Sequence, residues 1–199
     1  MSDTPRDRIS ETSVPEPLRL GDLVGIVAAS GPAAPEMLEE GIRFLQATGF
    51  QVSQGCHLYE CTGYLAGTDE QRCQDLNDML ADPDIRAIFF ARGGYGIMRL
   101  LDTIDHEAVL RHPKPLVGMS DVTALSLSLY AHCRLVTFAG PMVAGQVGSG
   151  LDPLSEEWFT KALTEPLAGR NLLPQGLAVR VVRQGHAHGP LIGGCLSLV

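Results

Sequence analysis

Arg86-Ala87-Ile88-Phe89-Phe90-Ala91-Arg92-Gly93-Gly94-Tyr95-Gly96 decides the fold: an apolar, β-rich run breaks without warning into three glycines within four positions. A strand buried on both faces has this near-continuous apolar character, and such strands belong to parallel sheets covered by helices on either side. Glycines directly after its end free the backbone from Cβ obstruction, so amide N–H groups can face outward into a concave site.

Working outward, short β-rich runs alternate with segments of helical period, the sign of an α/β layered fold. Leu23 to Ala28 reads as a strand ending in the small-residue turn Ala29-Ser30-Gly31-Pro32. Leu38, Ile42 and Leu45 share one helical face, and Gly49 follows where a C-terminal cap is expected. Phe50 to Ser53 is a short strand. Thr68 with Gln71 forms a capping box for a helix whose stripe is Cys73, Leu76 and Leu80. Beyond the glycine loop come a helix over Asp105 to His112, a strand over Pro115 to Gly118, a buried helix over Val122 to His132, a strand over Leu135 to Ala139 and a helix over Pro153 to Leu163. The expectation is an α/β fold with a mostly parallel sheet flanked by helices, Rossmann-like or flavodoxin-like. Residues 1–17, rich in Pro, Ser, Thr and charge, read as a disordered leader. Residues 18–164 form the α/β domain, 165–176 a linker broken by Pro166, Gly169, Pro174 and Gly176, and 177–199 the start of a second, β-rich domain that reads as interrupted at Val199.

Composition narrows the function. A formal net charge of −8 argues against a nucleic-acid surface, and no apolar run approaches the ~20 residues a membrane helix needs. The chain is expected to be cytoplasmic. Five cysteines without a C-x-x-C pair fit reduced thiols better than a disulfide framework, and Cys56, His57, Cys61 and Cys73 match no zinc module, so neither metal nor organic cofactor is expected. The first turn also lacks the G-x-G-x-x-G spacing of a nucleotide site, and Pro32 removes an amide that a phosphate would use.

Gly118-Met119-Ser120-Asp121 stands between a strand and a buried helix. A serine at such a turn projects its hydroxyl from the carboxyl edge of the sheet, at the positive end of the helix dipole, which is the logic of a nucleophile elbow. Val122 occupies the place of that motif's second glycine, and Ser120 equally suits the N-cap of the following helix. Together with the glycine loop, an exposed serine makes an acyl-transfer site. Its base is not evident: His132 lies about 18 Å along the same helix, His112 falls near the opposite edge of the sheet, His57 and His106 have no neighbouring signal, and His186 and His188 read as solvated surface. The other reading from these features is a non-catalytic module that holds a carboxylate or phosphate on amides and helix N-termini.

Four ordered blocks, Gly21 to Ser30, Ala91 to Gly96, Lys114 to Asp121 and Gly189 to Gly194, resemble those of the muramoyltetrapeptide (L,D-)carboxypeptidase family, which includes the microcin-immunity peptidases. The resemblance implies a serine peptidase with a Ser-Glu-His triad that removes terminal D-alanine from cytoplasmic murein tetrapeptides in cell-wall recycling, or, as an alternative, a microcin-type peptidase or amidase. It implies Ser120 as nucleophile, the amides of Asp121 and of Gly93 or Gly94 as oxyanion hole, Arg92 and Tyr95 near the substrate, and a homodimer. The family's Glu and His come from a second domain after the Gly-Gly block, and Cys195 stands here in place of an asparagine. The expectations are weak turnover by these 199 residues alone and, if they are a fragment, self-association through apolar surface around Leu191 to Val199.

Overall fold

The computed structural model describes residues 11–166, 178 and 180–199. Five parallel strands, β1 (Leu23–Val27), β2 (Gln51–Gln54), β3 (Ile85–Phe90), β4 (Leu116–Gly118) and β5 (Phe138–Ala139), lie in the order β2-β1-β3-β4-β5. Five helices surround them: α1 (Pro35–Ala47), α2 (Asp69–Ala81), α3 (His106–Arg111), α4 (Val122–Cys133) and α5 (Pro153–Thr164). This is the flavodoxin-like arrangement, in which the chain reverses direction across the sheet between β1 and β3 and opens a crevice at their carboxyl ends.

The side-chain period of two splits the core into two layers. Ile88 and Phe90 of β3 pack with Leu76, Leu80, Val109, Leu125 and Leu129 from α2, α3 and α4. Ala87, Phe89 and Ala91 face the other way, onto Leu38, Ile42 and Leu45 of α1 and Phe159 and Leu163 of α5. Phe89 and Phe90 are both fully buried, and each such burial is worth roughly 2–3 kcal/mol of transfer free energy. The capping box at Thr68 is formed as the spacing requires, with Gln71 N donating to the Thr68 hydroxyl and Thr68 N to the Gln71 side chain.

Some boundaries differ from the sequence reading. Leu135 is not part of β5: it bridges in parallel to Ser13, whose N–H and C=O bond Arg134 O and Val136 N at 2.9 and 2.8 Å. Residues 1–10 of the expected leader lie outside the described residues, but Ser13 is docked and Pro15 is buried, so ordered contacts begin before Leu18. The expected linker lies outside the described residues apart from 165 and 166. The β-rich start at Leu177 to Val182 lies in part outside them, and residues 180–199 carry neither helix nor strand. A π-helical turn, Val143–Val147, and two 3-10 turns, Ile97–Arg99 and Leu101–Thr103, had no counterpart in the sequence reading.

Three polar side chains tie the layers together. Lys114, buried before β4, donates from Nζ to Met79 O at 2.8 Å and Asp82 O at 2.6 Å, closing the end of α2, and burial pushes its pKa down to about 8. Arg72, fully buried on α2, reaches Ala29 O at the end of β1 and pairs with Asp69. Asp121, also buried, takes both the Ser30 hydroxyl (2.7 Å) and the Ile97 amide (2.9 Å) on one oxygen, Oδ2, and so joins the segments that follow β1, β3 and β4.

Asp121→Ala leaves that hydroxyl and amide without a partner, and each buried orphan costs about 1–3 kcal/mol. Urea unfolding is expected to show a loss of about 3 kcal/mol for Asp121→Ala and a smaller one for Asp121→Asn, whose amide oxygen still accepts both bonds. Equal losses would contradict this account.

The imidazoles of His106 and His132 stack between α3 and α4 with centroids 4.6 Å apart, and His106 Nε2 is buried without a hydrogen-bond partner among the described residues. Burial first, and the His132 ring second, lower the His106 pKa below its ordinary 6.5, against an opposing pull from Asp105. The unfolded chain therefore takes up this proton before the folded one does. Stability is expected to fall as pH drops below about 6.5, which thermal melts between pH 8 and 5.5 would register, and the slope should flatten in His106→Gln.

Candidate active site

β4 delivers the chain from the core to its carboxyl edge, where Met119 and Ser120 emerge exposed before α4 begins at Val122. Ser120 has φ 59°, the left-handed region that a residue with a Cβ enters at a cost of about 1–3 kcal/mol. The conformation is held from both sides, by β4 in the sheet and by Asp121 locked to Ser30 and Ile97. This is the sharp, strained turn of a nucleophile elbow. The N-cap reading of Ser120 does not hold: the N-cap is Asp121, and the Ser120 hydroxyl bonds no group among the described residues. Its backbone carbonyl accepts from Thr123 N at 3.0 Å.

The Arg92 to Gly96 loop lies against this turn. A Cβ on Gly93 would stand 2.9 Å from Ser120 Cβ and 3.2 Å from its Oγ, so only glycine fits there without pushing the serine aside. Gly94 (φ 127°) passes over Gly31, whose amide donates to Gly93 O at 3.1 Å. The amides of Gly94 and Asp121 donate to no acceptor among the described residues. Arg92 is exposed and donates from Nη1 to Pro32 O at 2.8 Å; Tyr95, also exposed, tilts against Tyr64 with centroids 6.1 Å apart. Behind the loop, Arg99 pairs with Asp69, and this guanidinium bond above all holds the Asp69 carboxyl below its ordinary range. The fold places Ser120 and Asp121, after β4, and Arg92, Gly93, Gly94 and Tyr95, after β3, at one edge of the sheet. A cavity of about 490 Å³ opens nearby, between α4 and residues 190–194, but Ser120 does not line it.

No histidine or carboxylate among the described residues is hydrogen-bonded to the Ser120 hydroxyl. His106 and His132 pack against each other between α3 and α4 and make no bond to Ser120. His57 has the feature of an oriented base, its Nδ1 2.8 Å from Oδ1 of the buried Asp75, yet it makes no bond to Ser120. Asp75, Arg72, Ser30 and the carboxylate of Asp121 went unremarked in the sequence. The available signal was an ionic residue falling on the apolar stripe of α2, at Arg72 and again at Asp75. Among the described residues, no group of three or more His, Cys, Asp or Glu side chains is arranged to hold a metal ion, and no helix is long and apolar enough to cross a membrane.

Comparison with known proteins supplies independent evidence. Residues 24–140 match the family model described as the LD-carboxypeptidase N-terminal domain. The probable murein peptide carboxypeptidase of Bacillus subtilis is 36% identical over 188 residues, covering 93% of this chain and 58% of that protein. The murein tetrapeptide carboxypeptidase of Pseudomonas aeruginosa is 34% identical, covering 87% and 58% respectively. The structure of MccF in complex with glutamyl sulfamoyl guanosine superposes with a TM-score of 0.75 at 34% identity, over 81% of this chain and 50% of that one; MccF is named as the microcin C7 self-immunity protein in Escherichia coli. The chain spans about half the length of the curated relatives it matches. With a flavodoxin-like sheet, a strained serine at its carboxyl edge and a family match across all five strands, this chain belongs to the LD-carboxypeptidase family through that family's N-terminal domain.

Proposed function

We propose that this chain supplies the nucleophile and oxyanion hole of a serine peptidase that releases terminal D-alanine from murein tetrapeptides in the cytoplasm, as a step of cell-wall recycling. The observation that carries the reading is Ser120: exposed, strained at φ 59° and set so close to Gly93 that a Cβ there would crowd it. The murein carboxypeptidases among its relatives favour this substrate class.

In this reading the Ser120 hydroxyl attacks the carbonyl of the scissile bond, and the amides of Gly94 and Asp121 donate to the oxygen that becomes negative as the tetrahedral intermediate forms. Donors fixed in place before reaction cost no reorganisation, and each such donor contributes ~10²–10³ in rate in a well-studied serine peptidase. Gly93 keeps the approach to Ser120 clear, Arg92 offers a cation to a substrate carboxylate, and Tyr95 offers a ring and a hydroxyl beside it. The α4 dipole adds partial positive charge behind the serine. The proton acceptor comes from outside the described residues, in line with a family whose Glu and His lie in a second domain. The 199 residues alone therefore hydrolyse slowly, since an unassisted serine hydroxyl is a weak nucleophile at neutral pH.

A second reading, cleavage of an acyl bond in a microcin-like compound, is favoured by the likeness to MccF. The two separate by substrate. D-alanine release from a murein tetrapeptide is measured for this chain, for Ser120→Ala, for Gly93→Ala, and for the chain fused to the C-terminal half of the B. subtilis relative. Expected are slow release by the chain, roughly three or more orders of magnitude faster release by the fusion, and loss of both with Ser120→Ala. Gly93→Ala should fall close to Ser120→Ala. Release that survives Ser120→Ala overturns the serine mechanism; aminoacyl sulfamoyl-nucleoside cleavage without D-alanine release transfers the proposal to the second reading.

A further inference from the structure

The loop joining β2 to α2, residues 55–67, carries two of the chain's four tyrosines, and none of its side chains belongs to the Ser120 machinery described above. It is anchored at both ends. At the first, Asp75 of α2 accepts the His57 amide through Oδ2 and the His57 ring through Oδ1, both at 2.8 Å. Gly55 lies so close to that carboxylate that a Cβ there would stand 2.4 Å from Oδ2. At the second, Ala66 N donates to Ser30 O at 2.9 Å, and Thr62 and Leu65 exchange backbone bonds of 2.8 and 3.2 Å.

These anchors hold Tyr64 beside the glycine loop. Its carbonyl oxygen is 3.5 Å from where a Cβ on Gly31 would sit, Gly31 donates to Gly93 O, and a Cβ on Gly93 would crowd Ser120. Its ring meets that of Tyr95 at 51°, while the two residues remain 64% and 49% exposed. Single exposed aromatics need no explanation. Here two separately anchored loops set two rings side by side and leave them in water, Tyr95 on the same loop as Gly93 and Gly94. Such a ledge suits the aliphatic stem of an extended peptide, with the phenol hydroxyls available to its polar edge.

We propose that Tyr64, paired with Tyr95, is a substrate-contacting and specificity-determining residue of the Ser120 site, held in place by His57 and Asp75 as positioning residues. The inference rests on the peptidase reading and extends it to the wall that receives the peptide. His57 makes no bond to Ser120, and in this proposal it acts through the loop and not on the reacting bond.

The test titrates a murein tetrapeptide into the chain, Tyr64→Ala, Tyr64→Phe and His57→Gln by calorimetry, and measures in parallel, with each fused to the C-terminal half of the B. subtilis relative to supply a base, how fast a small fluorophosphonate, which has no peptide stem, labels Ser120. Expected are about tenfold weaker tetrapeptide binding for Tyr64→Ala, near-normal binding for Tyr64→Phe, a loss of several-fold for His57→Gln, and an unchanged labelling rate throughout. Equal affinity for the chain and Tyr64→Ala overturns this inference alone. A matching fall in labelling rate also overturns it, because the substitution would then act on the nucleophile. Absence of tetrapeptide binding by the unaltered chain overturns the inference together with the murein reading.

Discussion

One buried carboxylate, that of Asp121, governs the geometry of the carboxyl edge. Three parallel strands end there in three separate loops, and parallel strands impose no direct link between their exits. Asp121 provides the link by accepting from Ser30 after β1 and from Ile97 after β3, while its own backbone leads into α4. Burying a carboxylate is costly unless its oxygens are hydrogen-bonded, and here the hydroxyl, the amide and the helix N-terminus offset that cost together. Because Ser120 is the adjacent residue, its left-handed backbone is over-determined by the same bonds. The strain therefore persists in the folded state without any contact to substrate.

Elements governed by local rules were legible in the sequence. The apolar run of β3, the capping box of α2 and the apolar face of α1 each follow from neighbours within a few residues, and each was found within a residue or two of its expected place. So were the two chemical features, since glycines directly after a core strand and a serine between a strand and a buried helix are local patterns. What stayed hidden is non-local. Ser30 and Asp121 are 91 residues apart, His57 and Asp75 are 18 apart, and nothing in either neighbourhood announces the partner. Helical phase read from apolar residues alone also misled at α2, where Arg72 and Asp75 share the buried face with Leu76 and Leu80, and where Cys73 is only partly covered. Leu135 was misplaced for a similar reason: its partner is Ser13, from a segment whose composition reads as irregular.

The two ionic residues of α2 show why the apolar rule fails there. Arg72 contacts the end of β1 through Ala29 O, and a Cβ on Gly96 would stand 2.6 Å from its Nη1, so the guanidinium supports the floor of the glycine loop. Asp75, one turn further on, holds the start of the 55–67 loop through His57. A leucine at either position would fill the space but leave the carbonyl of Ala29 or the amide of His57 without this partner. Helix α2 thus serves as a core element along Leu76, Met79 and Leu80 and as a scaffold for the glycine loop and the 55–67 loop along Arg72 and Asp75.

This division explains how the Ser120 turn is held in place by the domain's own contacts. Catalysis by preorganisation needs donors and nucleophile fixed before the substrate arrives, and the bonds that fix the Ser120 turn and the glycine loop run between the β1, β3 and β4 exits, α2 and the start of α4. In the proposed peptidase mechanism a base would need only to come within about 2.6–3.2 Å of the Ser120 hydroxyl, which a group brought in by docking could do. The exposed hydroxyl, bonded to nothing among the described residues, is the arrangement such docking requires. A serine already held by an internal acceptor would have to give up that bond first, adding the cost of breaking it to the barrier.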